Sequence, residues 1–162
     1  MRLVIQVAAA VFVLDQALKY YVVHWLGLAR LGAIDVLPPF LNLRMAWNTG
    51  INFGLFAGGS ETARWVLIVV ALAITAAVTV WMWREPPGVA GRVSAGLLVG
   101  GALGNVVDRV LYGAVADFLN MSCCGIENPY AFNVADIAIF AGALGLVFFT
   151  GGDGRRDTKK AP

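Results

Sequence analysis

Histidine is almost missing from this chain, cysteine is scarce, and charge is thin. The single histidine, His24, excludes a zinc site of the HExxH kind, which needs two. It also excludes a serine–histidine pair, because Ser94 starts its apolar run at the end opposite His24, a gap close to the bilayer thickness. The two cysteines, Cys123 and Cys124, are adjacent. A disulfide between neighbours is strained and two thiols alone make a poor metal site, so they read as small loop residues. No metal or cofactor is called for. Charged residues make up 14% of the 162, while 59% are hydrophobic; an ordinary soluble domain carries about a quarter charged residues. That shortfall points to a membrane. The net charge of +2 gives no footprint for nucleic acid, and the basic tail GRRDTKK is explained as a topology anchor.

What is present is apolar sequence in long runs. A spanning helix needs roughly 20 mostly apolar residues, and the runs at 3–23, 65–83, 93–112 and 132–150 qualify. The first imitates a signal peptide, with Arg2 ahead of Ala8-Ala9-Ala10, but it is too long, and Asp15 and Lys19 interrupt it. Arg2, Arg84, Arg92, Arg155, Arg156, Lys159 and Lys160 fall on one side of the four runs, against Arg30, Arg44 and Arg64 on the other. Positive residues favour the cytoplasm, so both termini are expected there. The fold expected is a membrane all-α core, a bundle of four transmembrane helices, in a single membrane domain over 1–162 with a cytoplasmic tail at 151–162.

The outer segment, 24–64, has structure of its own. In LNLRMAWN, Leu41, Leu43, Met45 and Trp47 alternate with Asn42, Arg44, Ala46 and Asn48, the period of a half-buried strand. Pro38-Pro39 stops any helix before it, and Asn48-Thr49-Gly50 predicts a turn. A second short strand is expected at 51–56, making a small β element on the outer leaflet. In the third run Gly96, Gly100 and Gly104 recur every four residues, spacing that lets helix backbones approach closely in lipid; they predict a packing seam without chemistry.

Ionisable residues inside lipid are costly unless partnered, so they mark function by default. Asp15, Lys19, Asp108, Arg109, Asp117 and Asp136, with Asn105 and Asn133, all fall in the outer half of the bilayer or at its outer surface. Asp15 and Lys19, four apart, predict an ion pair that fixes helix packing. Asp108 and Arg109 point about 100° apart, so each needs a partner on another helix or loop. Asp136 could simply be the third residue of a helix capped by Asn133, and Asp117 a solvated loop carboxylate. Together they suggest more, since the third and fourth helices are sequential and expected to be adjacent, which brings both carboxylates to one rim. Two close carboxylates share a proton, one acting as base while the other stays an acid. Peptide hydrolysis by an aspartic dyad is chemistry such a pair can perform.

LDQALK around Asp15 and Lys19, NTGINF from Asn48, GGALGNVVDR from Gly100, VADF at Asp117 and FNVAD at Asp136 resemble, in order, the signature blocks of lipoprotein signal peptidase, or signal peptidase II. The resemblance implies a bacterial inner-membrane aspartic protease with a small periplasmic β-cradle and a periplasmic helix over the active site. Its substrates would be prolipoproteins, cut before a cysteine that carries a diacylglyceryl group, with membrane lipids around a chain expected to be a monomer. It puts the catalytic pair at Asp117 and Asp136, and supporting or substrate-binding residues at Asp15, Lys19, Asn48, Gly50, Asn105, Asp108, Arg109 and Asn133. Ile51-Asn52-Phe53-Gly54 departs from the family's commoner Ala-Ala-Phe-Ser, and SCCGIENPY is also unusual. Two rival readings compete. A proton-conducting bundle should carry ionisable groups across the full depth, yet the inner halves lack them. A non-catalytic lipid-binding subunit leaves two carboxylates at one rim unexplained.

Overall fold

The computed structural model describes residues 1–50, 61–125 and 128–150. Helix α1 (Arg2–Lys19) continues through a π-helical turn at Tyr20–Trp25, where the Leu26 amide donates to the Tyr21 carbonyl at 2.8 Å. The expected plain helix over 3–23 is therefore longer and changes winding at its end. Gly27, at φ 71°, then turns the chain at a backbone angle that costs other residues energy. A single helical turn, α2 (Leu28–Leu31), leads into β1 (Ala33–Leu37) and β2 (Leu41–Asn48). Next come α3 (Glu61–Arg84), α4 (Val89–Tyr112), β3 (Val115–Asn120) and α5 (Val134–Thr150). Three helical segments, each of 24 residues, are long and apolar enough to cross a membrane: Arg2–Trp25, Glu61–Arg84 and Val89–Tyr112. Helix α5 is shorter, at 17 residues.

Helix α4 is central, packing against α1, α3 and α5. Its glycines explain how. A Cβ built at Gly96 would lie 2.6 Å from Val7 Cβ, and one at Gly100 would lie 2.5 Å from the Ala8 carbonyl oxygen. The α1 backbone thus fills the place a side chain would take. Gly101, one residue on and so turned by about 100°, faces α5, where an added Cβ would come within 2.5 Å of the Ala135 carbonyl oxygen. Gly142 of α5 answers it, where an added Cβ would lie 2.6 Å from the Leu98 amide nitrogen and the Ser94 carbonyl oxygen. There are two seams, where the spacing of Gly96, Gly100 and Gly104 predicts one. Gly101→Val should cost about 1–3 kcal/mol by overpacking, read as a lower thermal unfolding temperature in detergent. An unchanged temperature would mean the helices are not held this closely.

Apolar contacts close both ends of the bundle. Val4, Met82, Ala95, Leu98 and Leu146 form one cluster. Val22, Leu28, Leu43 and Phe118 form the other, seating the sheet on the end of α1. The sheet has the order β1-β2-β3, antiparallel throughout. Strand β2 occupies the predicted residues, but its alternation is broken. A register shift between Leu43 and Ala46 leaves Trp47 exposed, as a bulge reverses which face the later residues present; before it, Asn42 and Leu43 are both buried. The partners of β2 are β1 and β3, neither of which the sequence pattern predicted. The strand expected at 51–56 lies outside the described residues, as does the tail from 151. Within 24–64, the helix found among the described residues before α3 is the one turn of α2.

Candidate active site

A buried polar network joins α1, α4, α5 and β3. Asp15 is 0% exposed; its Oδ2 lies 2.8 Å from Lys19 Nζ, and its Oδ1 accepts the Ala135 amide at 3.0 Å. That amide belongs to the first turn of α5, where N–H groups have no partner inside the helix. Lys19 Nζ also reaches Asp108 Oδ2 at 2.8 Å and Asn105 Oδ1 at 3.1 Å. Asp108 Oδ2 accepts the Ala116 amide at 3.1 Å, which fixes β3 against α4. Gln16 Nε2 completes the set, donating to Asp108 Oδ1 at 3.0 Å and Asp15 Oδ2 at 3.2 Å. Gly104 leaves room for all this, since a Cβ there would lie 2.6 Å from Asp15 Oδ2. It is more than the packing residue its spacing suggested.

Above this network sit the two other aspartates. Asp117 is not on a solvated loop: it stands within β3, opposite Ala46 of β2, and is 2% exposed. Its Oδ1 accepts Asn133 Nδ2 at 2.7 Å and its Oδ2 accepts Asn48 Nδ2 at 3.0 Å. The Gly50 amide donates to Asn48 Oδ1 at 3.0 Å, so the Asn48-Thr49-Gly50 turn aims the Asn48 amide group at Asp117. Asp136, partly exposed, accepts Asn105 Nδ2 on Oδ1 at 2.9 Å and the Asn133 amide on Oδ2 at 3.2 Å. The Asp136 amide returns a bond to Asn133 Oδ1 at 2.9 Å. This reciprocal pair is a helix cap, so the modest account of Asp136 holds and does not exhaust it. Asn133, fully buried, holds Asp117 with its side chain and Asp136 with its backbone. Arg109 donates to the Gly50 carbonyl at 2.9 Å and the Asn105 carbonyl at 3.3 Å.

Burial pushes the Asp117 carboxyl up to about 7, and the negative charge of Asp136 adds to the rise. The hydrogen bonds from Asn48 and Asn133 and the charge of Lys19 pull the other way. One carboxyl able to keep its proton at neutral pH beside a second, better solvated one is a constellation suited to acid–base chemistry on water and a peptide carbonyl.

The description "Signal peptidase (SPase) II" matches residues 7–150. The chain belongs to the signal peptidase II family. It is 39% identical over 150 residues to a lipoprotein signal peptidase of Rhodopseudomonas palustris (strain ATCC BAA-98 / CGA009), covering 91% of this chain and 90% of that protein. A lipoprotein signal peptidase of Methylobacterium sp. (strain 4-46) is 45% identical over 148 residues, covering 88% and 85% respectively. Among solved structures, one described as a bacterial membrane enzyme determined by the in meso method at 2.3 Å superposes with a TM-score of 0.79 at 27% identity, covering 98% of this chain and 93% of that one.

Every residue that the signal peptidase II resemblance singled out lies in this one connected network. Asp15, Lys19 and Asp108 form its base. Asn105 links the base to Asp136, and Asn48, Gly50, Arg109 and Asn133 lie around Asp117 and Asp136. Gln16 was missed. Its signal was available, a polar side chain beside Asp15 in an otherwise apolar run. Cys123 and Cys124 are free and exposed, and Ile51-Asn52-Phe53-Gly54 lies outside the described residues.

Proposed function

We propose that this signal peptidase II acts as an aspartic endopeptidase within the membrane, with Asp117 and Asp136 as its catalytic pair. The activity of the family is removal of the signal peptide from prolipoproteins. The cut falls before a diacylglyceryl-modified cysteine. Helix α5 serves as a fourth span, since about 17 residues suffice. Both termini are cytoplasmic and the sheet and dyad lie at the periplasmic face, in a monomer surrounded by lipid. The observation that carries the reading is Asn133, which ties Asp117 and Asp136 to a single residue.

The proton begins on Asp117, the more deeply buried of the two. Asp136 takes a proton from water as the water oxygen attacks the scissile carbonyl carbon, and Asp117 gives its proton to the carbonyl oxygen. Collapse reverses the roles: Asp136 protonates the departing nitrogen while Asp117 recovers its proton from the hydroxyl, and the C–N bond breaks. Arg109, held by the Gly50 and Asn105 carbonyls, and the amides of Asn48 and Asn133 fix the geometry. Anchoring of both signal helix and lipid chains in the bilayer supplies much of the positioning.

The decisive experiment incubates the purified protein with a diacylated prolipoprotein and looks for the shortened product; no product rejects the reading. The placement of the proton has its own test. With Asp117 near 7, kcat/KM should fall above about pH 7, approaching tenfold per pH unit. Asn48 stabilises the charged form of Asp117, so Asn48→Ala should move that falling limb to higher pH. A limb that stays in place or moves down would assign the proton elsewhere.

A further inference from the structure

Trp47 and Asn48 are neighbours at the end of β2, and neighbours on a strand point to opposite faces. Asn48 faces Asp117, whose Oδ2 accepts its Nδ2. Trp47 turns the other way, toward Tyr112 at the end of α4. The two ring centroids are 5.6 Å apart, with the planes tilted by 51°. Tyr112 is held in turn from α1. Its hydroxyl lies 3.3 Å from His24 Nε2, and the two rings are 6.2 Å apart. His24 belongs to the π-helical turn, as does Tyr20, whose ring centroid lies 5.5 Å from that of His24. A row of rings thus runs from α1 over the end of α4 to β2, outside the polar network described above.

The end of β2 needs such a hold. Its ladder with β3 is interrupted between Leu43 and Ala46, and three pairs follow: Ala46 with Asp117, Trp47 with Ala116 and Asn48 with Val115. A slip of one residue would send every side chain after the interruption to the other face. Asn48 would leave Asp117, and an indole would take its place. Trp47 is 44% exposed, so burial alone does not select the observed register. Its seat on Tyr112 does, because tilted aromatic pairs at this separation attract beyond the area they bury. On the other side of Asn48, the Gly50 carbonyl is fixed by Arg109. Asn48 is pinned from both directions.

We infer that Trp47 is a positioning residue for Asp117: seated on Tyr112, it keeps β2 in the register that aims Asn48 at the carboxylate. This rests on the peptidase reading. Trp47 points away from Asp117, so its effect there passes through Asn48. The charged groups acting on or near Asp117 are Asp136 on α5, Lys19 on α1, and Arg109 and Asp108 on α4. All of them, and the titratable His24 beyond Tyr112, are retained in every variant below.

The test is the pH profile of kcat/KM for the purified full chain acting on a diacylated prolipoprotein. Asn48→Ala should move the falling limb to higher pH, since the bond it removes favours charged Asp117. Trp47→Ala should move the limb the same way, by part of that shift. Trp47→Phe, which keeps a ring on Tyr112, should leave it in place. With Asn48→Ala already present, Trp47→Ala should add no further shift, because two residues acting through one bond are not additive. Tyr112→Leu removes the same contact from the helix side, at a half-exposed position, and should reproduce the Trp47→Ala limb. It decides the matter should Trp47→Ala fail to fold. A limb that stays in place in these variants, whatever happens to the overall rate, overturns the positioning role. So does a shift that adds in full to that of Asn48→Ala. If the unmodified enzyme yields no product, the peptidase reading falls and this inference with it.

Discussion

Asn in place of either Asp117 or Asp136 should reduce prolipoprotein cleavage by roughly 10⁴-fold, the upper range for loss of a general acid or base. The protein should still insert and fold, with an unfolding temperature lowered only modestly. Both expectations follow from the same bonds. Each carboxylate accepts one donor on each oxygen, from Asn133 and Asn48 at Asp117 and from Asn105 and the Asn133 amide at Asp136. An amide of the same shape keeps one of the two through its single oxygen while its NH2 group meets the other donor. What the amide lacks is a proton that can be given and recovered. Neither aspartate is paired with Lys19, which is committed to Asp15 and Asp108, so the buried ion network is untouched. Product formation followed by mass, beside thermal unfolding in detergent, separates the two effects. Near-normal processing by either purified variant would refute the dyad.

Much of this arrangement was legible in the chain because lipid punishes polar residues. Asp15, Lys19, Asp108 and Asp136 stand out against apolar runs, and the i,i+4 spacing of Asp15 and Lys19 predicts the 2.8 Å pair between them. The sheet was harder. Strand β3 is buried on both faces over Val115–Phe118, so it lacks the alternation that marks a half-buried strand. Without the strand, Asp117 looked like a loop residue. The bulge in β2 was equally silent, because nothing in LNLRMAWN says where register slips. Gly101 belongs to the same class. Its neighbour Gly100 already completes a repeat, and a second seam becomes visible only once α5 is known to lie 100° around α4. Asp136 was ambiguous for a physical reason, since the carboxylate that caps helix α5 also shares Asn133 with Asp117.

Lys19→Met should be the most damaging single change outside the dyad, costing about 3–5 kcal/mol, the usual consequence of stripping the partner from a buried charge. Asp15 and Asp108 are 0% and 1% exposed, and Lys19 lies 2.8 Å from an oxygen of each. Its removal leaves two carboxylates within one dry cluster, with Gln16 as their remaining shared side-chain donor. The damage should also reach the dyad by two routes. Asn105 Oδ1 loses its bond from Lys19, loosening the amide that holds Asp136. Asp108, repelled by Asp15, would release the Ala116 amide, the residue next to Asp117. Pairing Lys19→Met with Asp15→Asn removes one charge of each sign and should be less destabilising than Lys19→Met alone, a non-additivity expected of residues in one network. Unfolding temperatures of the two single variants and the double decide it. Strict additivity would mean that Lys19 and Asp15 do not interact in the folded protein, and the polar base beneath the dyad would have to be drawn differently.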